Sequence, residues 1–306
     1  MRSRHIRVEI DLDRVRASAE AIRRRTGVAL IAVVKADAYG LGAGRVIAAI
    51  ESVADSLAFF SLHEARAVGR GGLVLGPPAG APQAYRDLGL RPTVTDAHQA
   101  RRLAGLPVAV CVDTGMQWLG CPPETLDELL AITQADEVYT HGNDVGAARR
   151  LRKLVRGRAV RLHAAATALL DQPEAWLDAV RPGLALYRGA VRVTGRLAAV
   201  RPTRGPVGYS GFESACVGIL LAGYSHGLRP APVIVNGRRQ RILEVGMNTA
   251  LVSVDPTDRA GDPVVLLGDA LPESDLADAL GVRPHEVLCR YTALGRRIYR
   301  GMSAGK

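Results

Sequence analysis

Lys35, Lys153 and Lys306 are the only lysines in a chain whose remaining positive charge is carried by arginine and histidine. Where a generic cation suffices this chain uses arginine, so a retained lysine points to something arginine cannot do. A guanidinium neither loses its proton nor condenses with a carbonyl, whereas an amine in apolar surroundings can do both. Lys35 is placed for such work. It follows the apolar run of residues 28–34 and opens the loop Ala36-Asp-Ala-Tyr-Gly-Leu-Gly42, a position from which a strand delivers a side chain to the rim of a barrel. An amine there can form an imine with an aldehyde, or carry a proton to and from carbon.

Such a residue needs a rigid strand behind it. The pattern predicts one at residues 28–34, then others at 56–61, 72–76, 91–95, 107–113, 137–141, 159–163 and 179–181. Amphipathic helices are expected between them, at 63–69, 97–106, 124–132 and 146–156. A strand at 7–11 and a helix at 12–25 precede the series. Strands apolar on both faces that alternate with helices call for a parallel sheet, and about eight such units favour a closed (β/α)₈ barrel of the TIM type. After about residue 188 the rhythm changes to short strands between Gly and Pro turns, at 216–222, 233–236, 241–245, 251–255 and 263–267. With one weak helix near 275–280, this predicts a separate, mostly antiparallel β domain. The expected division is a barrel at 6–188 and a β domain at 189–306, with residues 1–5 packing on the latter.

A chain of 306 residues that is 48% hydrophobic can bury cores of this size. Cys111, Cys121, Cys216 and Cys289 are widely spaced and include no Cys-x-x-Cys pair, so neither a zinc site nor a disulfide framework is indicated and a reducing cytoplasm fits. The net charge of +10 raises the question of a polyanionic partner. However, the arginines are scattered, their densest runs fall in helix-like segments, and 4% aromatic content leaves few stacking platforms. With no run apolar enough for a signal or a bilayer span, the expectation is a soluble protein that binds neither nucleic acid nor membrane.

The stretch Ala32-Val-Val-Lys-Ala-Asp-Ala-Tyr-Gly-Leu-Gly42 resembles the cofactor-lysine signature of alanine racemases, fold-type III enzymes that use pyridoxal 5′-phosphate. Further stretches look like family motifs and recur in family order. In the barrel they are Val8-Glu-Ile-Asp-Leu12, Ser61-Leu-His-Glu-Ala65, Asp113-Thr-Gly-Met116, Tyr139-Thr-His141, His163-Ala-Ala-Ala-Thr167 and Arg181-Pro-Gly-Leu-Ala-Leu-Tyr187. In the second domain they are Pro206-Val-Gly-Tyr-Ser210, Gly223-Tyr-Ser-His-Gly227 and Val245-Gly-Met-Asn248.

The resemblance implies an amino-acid racemase or epimerase acting on a small-molecule amino acid. Lys35 would hold the cofactor as a Schiff base and then serve as the base on one face of the substrate Cα. Tyr224 of the partner subunit would serve on the other face, which implies a homodimer with shared active sites. A phenol is a reluctant base at neutral pH, so positive charge or donated hydrogen bonds must favour its ionised form. Arg181 matches the arginine that faces the pyridine nitrogen, and His141 the histidine beside it that fixes its orientation. Tyr39, Thr167 and the backbone of Gly183 and Leu184 match phosphate-binding positions, where hydroxyls and N–H groups meet a dianion.

The departures from the family pattern gather around the substrate. Trp118 stands where the resemblance leads one to expect an arginine that holds the substrate carboxylate, and Cys111 where a lysine would orient that arginine. Asn248 replaces an aspartate beside Met247, whose backbone N–H still suits a carboxylate. Near the C-terminus the place of a phosphate-contacting tyrosine falls on Ala293, with Tyr291 two residues away. The chain is also shorter than the family leads one to expect, mainly before Arg181. These changes imply a substrate other than plain alanine, with Trp118, Met247 and Asn248 lining its site. The alternatives are a different reaction on the same cofactor, such as decarboxylation or aldol-type cleavage, and a non-catalytic paralogue that retains the cofactor.

Overall fold

In the computed structural model, which describes residues 2–301, the run ahead of Lys35 forms a short strand with both faces covered. Lys306 lies outside the described residues. Eight strands of this kind close into a parallel barrel. In chain order, with β1 reserved for Ser3–Asp11, they are β2 (Ala29–Val33), β3 (Ser56–Phe59), β4 (Gly72–Val74), β5 (Leu90–Val94), β6 (Ala109–Cys111), β7 (Glu137–Tyr139), β8 (Arg161–His163) and β9 (Ala179–Val180). Pairing of β9 back onto β2, with Ala179 opposite Ala29, completes the circle. Leu30, Ile31, Phe59, Val94, Val110 and Val138, from both faces of the strands, have almost no exposure, which is the burial that strands apolar on both faces require.

The helices outside the barrel start where the sequence offers caps. Ser61, Asp96 and Asp144 accept the N–H of Glu64, Gln99 and Ala147 at the heads of Leu62–Val68, Ala97–Arg102 and Val145–Leu154. The crossovers are short. Pro82–Asp87 and Ala97–Arg102 span six residues each, and two single 3₁₀ turns, Thr167–Leu169 and Pro173–Ala175, lead from β8 to β9. Helices Ala43–Ile50 and Pro82–Asp87 were not expected from the pattern.

The second unit is a sheet built from β1 together with β10 (Val191–Pro202), β11 (Cys216–Leu220), β12 (Pro232–Val235), β13 (Arg238–Val245), β14 (Ala250–Ser253), β15 (Pro263–Leu267) and β16 (Gly295–Arg300). The order is β11-β14-β13-β12-β15-β10-β1-β16, and β11 also pairs with β10, so six strands close on themselves. All neighbours run antiparallel except β1 and β16. A helix at Glu273–Leu280 agrees with expectation, and a second at Pro284–Tyr291 was not foreseen.

One assignment needs correcting. The sequence puts the first strand at the head of the barrel domain, yet β1 hydrogen-bonds to β10 and β16. Its burial pattern gives the reason, since exposed and buried residues alternate along much of it, as suits a sheet with one covered face rather than a barrel stave. Among the described residues the two compact units are accordingly residues 15–38 with 42–186, and residues 2–14 with 39–41 and 187–301. Tyr39–Leu41 belongs with the β unit through contacts such as the Tyr299 hydroxyl donating to the Leu41 carbonyl at 2.9 Å. Among the described residues no helix is long and apolar enough to cross a membrane.

Candidate active site

Lys35 emerges two residues beyond the end of β2, at the C-terminal rim of the barrel, where barrel enzymes keep their chemistry. The chain then does something unusual for L-amino acids. Ala36, Asp37, Ala38 and Tyr39 all lie in the left-handed region, with φ between 53° and 57°. Each such residue costs roughly 1–2 kcal/mol, so the turn persists only because its surroundings hold it. Glu64 is one clamp: its two oxygens accept the N–H of Ala36 at 2.9 Å and of Phe60 at 2.7 Å. Asp37 supplies another by accepting the Ala43 N–H at 2.7 Å. The turn thereby fixes the direction in which Lys35 leaves the strand.

Arg181 follows β9 directly, only 3% exposed. Its guanidinium donates to the Thr140 carbonyl at 2.6 Å, to the His163 carbonyl at 3.1 Å and to Nδ1 of His163. It also lies 4.7 Å from the centroid of the Tyr139 ring, against which the His163 ring stacks at 4.9 Å. Beyond it, Nε2 of His163 meets Oε1 of Glu137 at 2.6 Å. Arginine can only donate and an ionised carboxylate can only accept, so His163 carries its proton on Nε2. Burial, and then the charge of Arg181, push the His163 pKa down to about 3, which keeps the ring neutral.

The imidazole hydrogen-bonded to Arg181 is His163, on the strand next to β9. His141 sits at the rim beyond β7. Partial burial, then the charges of Arg181 and Lys35, push its pKa down to about 4, which brings the three groups into one electrostatic neighbourhood. His141 is therefore neutral at neutral pH. Neither His163 nor Glu137 was singled out by sequence reasoning. The signal was nonetheless present, because an ionisable residue in a strand of an otherwise apolar barrel needs a buried partner.

Thr167 and the Arg181-Pro-Gly-Leu segment come together as the sequence suggests. The Thr167 hydroxyl accepts the N–H of Gly183 at 3.3 Å and of Ala185 at 3.1 Å, at the first turn of the short helix Leu184–Tyr187. The Thr167 hydroxyl and the backbone N–H groups of Gly183 and Ala185 thus meet at the head of this helix, where the sequence expects a phosphate to be held.

Trp118 lies in the loop after β6 and is 72% exposed. The loop is braced by Asp113, which accepts the N–H of Gly115 and Gln117, and by Arg150, whose Nε donates to the Thr114 carbonyl at 2.7 Å. Cys111 donates its thiol proton to the Leu119 carbonyl at 3.0 Å, and burial pushes that thiol up to about 12, so it stays protonated.

Within the β unit, two loops carry the remaining candidates side by side. Tyr224 and Ser225 donate their N–H groups to the carbonyls of Gly246 and Met247, each at 3.0 Å, and Ser225 Oγ donates to Asn248 at 2.8 Å. Gly223 permits this approach, since a Cβ there would lie 2.2 Å from the Gly246 carbonyl oxygen. Tyr224 and Met247 are 57% and 59% exposed. Tyr39 packs 5.1 Å from the ring of Tyr187, and burial pushes its hydroxyl up to about 12. Of the two C-terminal positions, Tyr291 is buried and Ala293 exposed.

A closed parallel barrel with a lysine, a buried arginine and a hydroxyl–amide cradle on its C-terminal rim, followed by a β domain, defines a class of cofactor-binding enzymes. The family described as "Alanine racemase, N-terminal domain" matches residues 10–191, and "Alanine racemase, C-terminal domain" matches residues 196–299. The chain belongs to the alanine racemase family. It is 30% identical to the biosynthetic alanine racemase of Escherichia coli (strain K12) over 345 aligned positions, which cover 92% of this chain and 94% of that one. The biosynthetic alanine racemase of Pseudomonas aeruginosa superimposes with a TM-score of 0.88 at 25% identity, covering 98% of this chain and all of that one. The fold is shared also with the Bartonella henselae alanine racemase determined with covalently bound pyridoxal phosphate, at a TM-score of 0.85 and 22% identity over 97% and 100% of the two chains.

Proposed function

We propose that this chain is a pyridoxal-phosphate-dependent amino-acid racemase or epimerase that works as a homodimer in the cytoplasm on an amino acid other than plain alanine. The carrying observation is that Lys35, His141 and Arg181 follow the C-terminal ends of β2, β7 and β9 at one rim of the barrel, with the Arg181 guanidinium held by the Thr140 carbonyl. The residues fit the cofactor. Lys35 is the amine for its aldehyde, Arg181 the donor for its ring nitrogen, and Thr167 with the N–H groups of Gly183 and Leu184 the seat for its phosphate, with Tyr39 as a further hydroxyl. When bound, pyridoxal phosphate supplies an imine-forming aldehyde and a conjugated ring that stabilises negative charge at the substrate Cα.

The protein's own part is to hold and move protons. Either Lys35 or Tyr224 of the partner subunit removes the Cα proton from its own face while the other delivers a proton to the opposite face, the two exchanging parts with the direction of reaction. The exposure of Tyr224 and Met247 on two joined loops supports a role at a shared site. Because Arg181 cannot give up its proton, it keeps the ring nitrogen an acceptor and limits how much charge the ring withdraws. Arg181 would thereby favour return of the proton over side reactions. His141, held neutral, takes no proton from this exchange at neutral pH.

On the substrate side, the neutral indole of Trp118 and the protonated thiol of Cys111 put no positive charge at the two positions where the resemblance leads one to expect an arginine and a lysine. That supports a substrate able to use an aromatic face. Borohydride trapping followed by mass spectrometry should place a pyridoxyl group on Lys35, with loss of the yellow absorbance band in Lys35→Ala. A panel of amino acids in deuterated water should then show exchange at Cα. Decarboxylated or cleaved products without exchange would transfer the assignment to another reaction of the same cofactor.

A further inference from the structure

We infer that Glu137 is a positioning residue for Arg181, acting through His163 as its buried counter-charge; this rests on the reading of Arg181 as the donor to the cofactor ring. The three side chains form one hydrogen-bonded line across the barrel, from Glu137 at the start of β7, through His163 at the end of β8, to Arg181 just beyond β9. Every member is buried. A permanent cation with no compensating charge in such surroundings is strongly disfavoured, and removing its partner leaves the penalty uncovered. Glu137 is the carboxylate whose charge reaches the guanidinium. Its own ionised form survives burial because His163 donates to Oε1 and the Arg91 Nε stands 3.2 Å from Oε2.

The geometry gives the carboxylate two effects. It holds the imidazole plane so that Nδ1 faces the Arg181 N–H, which leaves the guanidinium one orientation. It also places a negative charge behind the imidazole, which moderates how strongly Arg181 donates on its far side. Glu137 opens a strand the sequence predicts, and it is only 4% exposed.

The test uses Glu137→Gln, which keeps shape and one acceptor oxygen but removes the charge, and Glu137→Leu, which removes both. In the unloaded protein with ¹⁵N-labelled histidine, His163 should appear as the Nε2-protonated neutral tautomer with a strongly downfield ring N–H. That proton should move upfield in Glu137→Gln and lose its protection from exchange in Glu137→Leu. After loading with pyridoxal phosphate, Glu137→Gln should shift the long-wavelength absorbance band and weaken cofactor retention by about tenfold, the loss expected for a charged hydrogen bond. The same change made in an Arg181→Lys background should add little, because the effect runs through Arg181. An Nδ1-protonated or cationic His163 in the wild type would overturn the inference, as would a Glu137→Gln protein with unaltered band and retention. Failure of the wild type to form any Lys35 adduct would count against the cofactor reading instead, and the histidine spectra would still decide whether Glu137 orders His163.

Discussion

Glu64 holds the backbone of Ala36, the residue next to the candidate catalytic lysine, by accepting its N–H at 2.9 Å while its other oxygen takes the N–H of Phe60. A carboxylate from the helix after β3 thus ties down a left-handed turn after β2. Replacing it by alanine removes both acceptors, and a loss of about 1–3 kcal/mol is expected. Glu64→Gln, with one acceptor oxygen, should fall between wild type and alanine. Denaturant midpoints measure the stability part. Slower recovery of the Lys35 absorbance band after cofactor removal would show that the turn has loosened, and equal recovery in all three proteins would argue against this role.

The barrel was legible because strands such as β2 and β3 are apolar on both faces, a pattern few other folds allow. The first strand was misplaced because the residues that pair with it lie far along the chain, and only its alternating exposure distinguishes it. The left-handed turn was invisible: Ala-Asp-Ala-Tyr favours no such conformation, which is imposed by Glu64, Asp37 and their partners. Lys35, Arg181, Thr167 and Gly183 stood out in the sequence because their chemistry and order are distinctive. His163 and Glu137 were passed over because partnership between neighbouring strands leaves no local spacing to read.

Gly40 sits at φ 85°, where a Cβ would lie 2.0 Å from the hydroxyl oxygen of Thr292. Gly40→Ala therefore combines backbone strain with a contact that cannot persist, and a loss of about 2 kcal/mol or more is expected. Thr292→Ala removes the offending oxygen but leaves a Cβ at 3.1 Å, so the double variant should recover only part of the loss. Thermal midpoints of the four proteins form the cycle, and strict additivity would mean that the two residues do not meet.

The buried neutral histidine dictates a pH dependence. His163 has a folded pKa of about 3, against about 6.5 for an unfolded histidine. Between those values the unfolded chain binds a proton that the folded chain does not, so stability rises with pH there and is lost as pH falls from about 6.5. Once well inside the window the slope is about 1.4 kcal/mol per pH unit for one such proton. His141 acts in the same direction but contributes less because solvent reaches it. Urea unfolding at several pH values from 7 to 5 should show the decline, and His163→Gln should flatten it while lowering stability throughout.

Trp118 offers the most direct handle on substrate choice. It is 72% exposed on a loop held by Asp113, Arg150 and the Cys111 thiol, so exchanging it should cost little stability. Trp118→Arg would restore a charged donor where the family resemblance leads one to expect a carboxylate anchor. A charge-assisted contact is worth roughly 1.5–3 kcal/mol, or about ten- to a hundredfold in binding. The expected outcome is a lower KM for alanine by that factor, with a higher KM for any aromatic amino acid that the wild type prefers. Steady-state measurement of both substrates on both proteins decides the matter. An unchanged KM for alanine would place residue 118 away from the carboxylate and leave the altered specificity to be explained by Asn248 and its neighbours.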